Sequence, residues 1–169
     1  MLRRDPLADP APLIKRVYAY AAYRLGDGPD AEDITSETFE RALRYRKSYD
    51  PKKGEPVAWL LGIAKRCIDG SWSKTEYATE DVDSVDTTDL EEETIRRLTV
   101  SRAMATLDER DRELIALRYG ADLTARQIAE LLDARTNAIE VALHRALGRL
   151  RGILRADEPE AVRKRGASR

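Results

Sequence analysis

Apolar residues recur at helical spacing in two stretches with almost nothing between them, and that junction constrains the fold more than any other feature of the chain. Ile128, Leu131 and Leu132 form one stripe, and Ile139, Leu143, Leu147 and Leu150 form another. Only the polar run Asp133-Ala-Arg-Thr-Asn137 separates them. Two helices joined by about three or four residues must cross steeply to bury both stripes, which is the geometry of a helix-turn-helix. The stretch from Arg135 to the predicted helix end at Arg151 also carries Arg145 and Arg149. A basic amphipathic helix fits the width of the DNA major groove. The motif points to duplex DNA.

The rest of the chain repeats the helical period. No run of β-branched residues alternates over the length of a strand, and helix formers fill every periodic segment. With 42% hydrophobic and 36% charged residues in 169, the chain is expected to be all-α, in two small helical domains. Its net charge of −1 says little about its partners. Between Thr75 and Thr94 there are nine acidic residues and no basic one, so the remainder carries +8. A phosphate backbone responds to that local charge, not to the total.

A first helix is predicted from Ala11 or Pro12 to Leu25, with Leu13, Val17, Tyr20 and Ala21 on one face and Gly26 ending it. A second runs from about Ala31 to Lys47, with Asp30 placed to cap it. A loop, Ser48 to Glu55, leads to a third helix that starts at Pro56, where proline costs least, and fades near Lys74. Residues 11–74 thus form a first domain. The acidic stretch 75–94 reads as a flexible linker, being long for a loop within one compact domain. Residues 95–155 form a second domain, with Ile95, Leu98, Met104 and Leu107 on one helix and Glu109 to Tyr119 on the next. Residues 156–169 are a basic tail predicted to be disordered.

Three constellations bear on function. Asp33, Glu37 and Glu40 follow i, i+4, i+7 spacing on the second helix. Such a stripe either complements the helix dipole or, lacking a basic neighbour, awaits a basic partner. From Arg41 to Lys53 six basic residues interleave with Tyr45 and Tyr49, and Lys65-Arg66 follow near Trp59 and Trp72. Bases with aromatics suit single-stranded nucleic acid, where cations track phosphates and rings stack on bases. For the loop residues that reading and plain solvation weigh equally. The spacing of Trp59, Ile63 and Cys67 assigns Trp59 to the core. Finally, one histidine, His144, and one cysteine, Cys67, cannot build a zinc site, a catalytic pair or a disulfide. The acids from Asp27 to Glu37 miss the calcium-loop pattern, with Pro29 at its third position and Glu32 at its sixth. No enzyme, metal or cofactor is implied. The N-terminus has no apolar signal core and no segment is long enough to span a bilayer, so a cytoplasmic protein without membrane insertion is expected.

The order of these parts resembles the extracytoplasmic-function (ECF) subfamily of bacterial sigma factors, group IV of the sigma-70 family, over about Leu13 to Arg155. The motifs are Asp30-Ala-Glu-Asp-Ile-Thr-Ser-Glu-Thr-Phe-Glu-Arg-Ala42, Tyr49-Asp-Pro, Trp59-Leu-Leu-Gly-Ile-Ala-Lys-Arg-Cys-Ile-Asp69, Ala105 to Tyr119, Thr124 to Leu132 and His144 to Arg151. The resemblance implies that the first domain is sigma-2 and the second sigma-4. Asp30, Glu32, Asp33, Glu37 and Phe39 would meet the clamp of the polymerase β′ subunit. Arg46, Tyr49, Lys52, Lys53, Lys65, Arg66 and Asp69 would handle the melted −10 element. Arg126, Arg135, Thr136, Asn137, Glu140, His144 and Arg145 would meet the −35 duplex, with the preceding helices on the β flap. The implied partners are core RNA polymerase and promoter DNA, with room for an anti-sigma factor.

The chain departs from the family pattern at Ser36 and Cys67, where glutamine and asparagine are usual. It departs most at Ala138-Ile-Glu-Val-Ala142, where a Thr-Val-Lys-Ser-Arg run is common. From Thr124 to Arg151 five arginines face three acids, a thin surplus for a duplex reader. The alternative expectation is a helix-turn-helix adaptor or a stand-alone repressor that initiates nothing.

Overall fold

The computed structural model describes residues 5–75 and 92–157, with backbone alone for 71–75. Most of the expected linker and tail (76–91 and 158–169) lie outside the described residues. Seven α-helices and no strand occur among those described.

Helix α1 spans Pro10–Leu25 and α2 spans Pro29–Tyr45, followed by a 3-10 turn over Arg46–Ser48. Asp30 does not cap α2 as predicted. The helix starts two residues earlier at Gly28-Pro29, because proline gives up no useful N–H in a first turn, and the Glu32 N–H donates to Gly28 O at 3.1 Å. The inner face of α2 is built from Ala31, Ile34, Thr35, Thr38 and Ala42, mostly small residues that let the neighbouring helices approach. Its two buried hydroxyls are satisfied locally, Thr35 donating to Ala31 O and Thr38 to Ile34 O, each at 2.7 Å. Helix α3, Pro56–Thr75, buries Leu60, Leu61, Ile63, Ala64, Cys67 and Ile68 against α1 and α2.

Helix α4 covers Glu92–Thr106, and only its end is buried, through Ala103 and Met104. Helix α5 is Glu109–Ile115, with the Asp108 side chain accepting from the Asp111 N–H at 2.8 Å. The sequence predicts one helix as far as Tyr119, but after Ile115 the coil widens into a π-turn, Ala116–Gly120, closed by the Ala121 N–H to Ala116 O at 2.9 Å. That widened turn brings Gly120 against α1.

Helix α6 (Ala125–Leu131) and helix α7 (Thr136–Asp157) are the helix-turn-helix. A capping box starts α6: the Gln127 N–H donates to Thr124 Oγ1 at 3.2 Å, and the Thr124 N–H to Gln127 Oε1 at 2.9 Å. On α7 the buried residues are Ile139, Leu143 and Ala146. Leu147 and Leu150 pack at the margin, so the core stripe runs one residue off the predicted line beyond Leu143. The two halves share one core. Val17, Tyr20, Leu60 and Leu61 belong to the same buried cluster as Leu114, Leu117, Leu123, Ile128 and Ile139.

Candidate nucleic-acid interface

The chain presents three surfaces, each positioned by the burial of the opposite face of its helix. The acidic one lies on α2. Asp30, Glu32 and Asp33 are exposed, Glu37 is half-buried, and Phe39 packs its ring against the core. The expected lack of a basic neighbour does not hold. Arg41 donates to Glu37 at 2.5 Å and Arg44 to Glu40 at 3.0 Å, one helical turn on. Asp30, Asp33 and Glu37 line a cleft whose opposite wall is Ser101, Met104 and Arg112.

The second surface joins the loop after α2 to the outer side of α3. Tyr49 and Trp59 stand with ring centroids 5.5 Å apart and planes tilted by 55°. The Tyr49 hydroxyl donates to Gly54 O at 3.0 Å, which fixes the loop, and burial raises its pKa, aided by Glu55 and Asp50. Trp59 is not the core residue that its spacing predicts. It packs on the core yet keeps one face in a groove with Lys53 and Arg66. Spacing did not place this ring at the groove, because periodicity names the buried side of a helix but not the residue at its margin. Arg46, Lys52, Lys53 and Arg66 are exposed and form no ion pair among the described residues. Lys65 differs, since its ammonium is held by Asp69 at 3.0 Å. Cys67 is buried as expected, and burial raises its thiol pKa, with the nearby Glu37 charge adding to the effect.

The third surface is the start of α7. Arg135, Thr136, Asn137, Glu140, His144 and Arg145 are all exposed there, opposite Ile139 and Leu143. Two arginines grouped with them by sequence sit elsewhere. Arg149 ties α7 to α5 through both of its donors on Asp111, Nη2 to Oδ1 at 2.7 Å. Arg126 pairs with Glu130 at 3.1 Å, and both line the same groove as Trp59 and Arg66.

All-helical among the described residues, with an acidic helix face, a groove that holds two aromatic rings among three bases and three acids, and a helix-turn-helix, the chain falls in the helix-turn-helix class of proteins. Residues 12–75 match Sigma-70 region 2 and residues 97–150 match Sigma-70, region 4. The ECF RNA polymerase sigma factor SigK of Mycobacterium sp. (strain KMS) is 32% identical over 151 residues, covering 82% of this chain and 75% of that protein. The ECF RNA polymerase sigma factor BldN of Streptomyces coelicolor is 27% identical, and here the match takes in 83% of the chain and 57% of BldN's length. The chain belongs to the ECF sigma factors of the sigma-70 family. Its fold is similar to that of the Bartonella quintana sigma factor RpoE, solved with the anti-sigma factor NepR (TM-score 0.68, 20% identity, 86% of this chain and 94% of that one). It is also similar to CnrH, solved with the cytosolic domain of CnrY (TM-score 0.61, 20% identity, 87% and 82%). Among the described residues no helix is long and apolar enough to cross a membrane.

Proposed function

We propose that this chain binds core RNA polymerase and directs it to promoters, with a separate task for each surface. The groove carries the reading. Two rings 5.5 Å apart lie beside Lys53 and Arg66, with Asp50, Glu55 and Glu130 on the same lining, and in this reading the rings stack on bases while the two cations meet phosphates, the combination an unstacked strand requires. In this reading Arg46, Tyr49, Trp59, Lys52, Lys53 and Arg66 capture the −10 strand, while Lys65 and Asp69 hold one another at its edge. Asp30, Glu32, Asp33 and Glu37 dock on the polymerase clamp, with Phe39 bracing the helix from within. The exposed start of α7 lies on the −35 duplex, and the helices before it on the β flap. Melting is driven by binding energy for the extruded bases, which offsets a few kcal/mol of unstacking per step. One solved neighbour, RpoE, carries the anti-sigma factor NepR, which supports such a factor as a further partner.

Transcription by purified chain and core polymerase on a fragment library tests the proposal. Initiation is expected from a defined promoter class. In Trp59→Ala it should fall on duplex templates by roughly five- to one-hundredfold, since one stacked base contributes about 1–3 kcal/mol. Tight polymerase binding without initiation on any fragment would refute the promoter role.

A further inference from the structure

One large apolar side chain stands on the outermost line of the helix proposed to lie on duplex DNA. Val141 is 44% exposed on α7, two residues from each of the buried Ile139 and Leu143. At about 100° per residue it lies about 200° round the helix from both, so it points directly away from the core. One helical turn to either side, Asn137 and Arg145 are exposed, and their side chains form no hydrogen bond or ion pair among the described residues. Further along the same line Gly148 offers no side chain, and a Cβ there would meet nothing within 4 Å. Glu140, also exposed, lies about 100° to one side of this line.

A single exposed valine on a helix in water needs no explanation. On the outward line of a recognition helix its position has a consequence, because docking strips water both from the valine and from the base edges opposite. In the major groove those edges present ring nitrogens, carbonyl oxygens and amino groups, and the one apolar group among them is the 5-methyl of thymine. Asn137 and Arg145 can hydrogen-bond to polar edges, whereas Val141 cannot. A polar group facing Val141 would lose its water and gain no partner, which costs free energy. A thymine methyl carries no such penalty, and its contact with the valine buries apolar surface on both sides.

We propose that Val141 is a specificity-determining residue of the −35 contact, selecting at one position of the duplex a pyrimidine that bears a 5-methyl group, which in unmodified DNA is thymine. The inference rests on the promoter reading above. Holoenzyme assembled from the full chain and core polymerase tests it, on a promoter selected from the fragment library. Each −35 thymine is replaced in turn by uracil, which removes the methyl group and nothing else. At one position uracil should weaken binding about three- to fourfold, the contribution of one buried methyl group. Cytosine there should bind more weakly still, and 5-methylcytosine should regain about the same factor. In Val141→Ser, an exposed change that spares the core, thymine and uracil should bind alike at that position, and 5-methylcytosine no better than cytosine. No uracil effect in the parent, or one that persists unchanged in the variant, would overturn the assignment. A loss of core polymerase affinity in Val141→Ser with the uracil effect intact would also overturn it, by placing Val141 against protein. Failure of the parent holoenzyme to bind any fragment would instead refute the promoter reading, and the inference with it.

Discussion

Glu140 carries the one negative charge among the exposed side chains from Ala134 to Gly148, at the place on α7 where duplex DNA is proposed to lie. Glu140 is exposed on this helix while Ile139 and Leu143 are buried. Glu140→Lys should therefore tighten binding to a promoter duplex and steepen the salt dependence, the logarithmic slope growing by about 1 to 2. Fluorescence anisotropy across a salt series measures both. An unchanged slope would place Glu140 away from phosphate. At the seam between the halves, Tyr20 has the opposite character, being wholly enclosed. Burial raises its phenol well above the ordinary value of 10.0, and the charges of Asp69 and Glu109 add to this against the pull of Arg24. A raised folded-state value means that the contribution of Tyr20 is complete below pH 10 and is lost as pH climbs towards the folded value. Urea unfolding from pH 9 to 11 should thus show a steeper alkaline loss in the parent than in Tyr20→Phe, with Tyr18 and Tyr49 contributing equally to both.

Helices here begin and end where local chemistry says they should, with instructive exceptions. The capping box of Thr124 and Gln127 starts α6, a helix of only seven residues with little intrinsic stability. Thr124→Ala should cost about 1 kcal/mol of global stability, read from a shifted urea midpoint at constant slope. A shift under a few tenths would mean that packing alone holds the helix. The exceptions occur where another helix intervenes. The π-turn after Ile115 places Gly120 on the backbone of α1, and no local propensity calls for it. On α7 the inward residue after Leu143 is Ala146, not Leu147, because α5 crosses close there and Arg149 holds the two helices together through Asp111. The Gly28-Pro29 start of α2 could have been read from the sequence, since proline at the first helical position is a known start signal.

At the scale of the whole molecule, one buried cluster crosses from α1–α3 to α5–α7. Two domains on a flexible linker would unfold independently, whereas a shared core couples them. Leu61→Ala in the first half and Leu117→Ala in the second should each cost about 2–5 kcal/mol, and each should move the same single transition. Calorimetry giving two transitions, each sensitive to one substitution only, would contradict the coupling. Long-range packing also explains why the groove was only half legible. Lys53, Arg66 and Tyr49 stand out as a basic-aromatic run, but Arg126 joins them only because α6 folds across α3, from sixty residues away in the chain.

The amino-acid sequence by itself determined the all-helical class, the helix-turn-helix, the acidic and basic-aromatic segments and the family, because these depend on periodicity, capping and residue chemistry within one or two helical turns. Only the tertiary structure decided that Trp59 keeps a face in the groove, that Arg149 gives its charge to Asp111 on another helix, and that the halves meet around Arg24, Tyr20 and Glu113. Those outcomes depend on which surfaces touch. A burial pattern can say that a face is covered, but not what covers it.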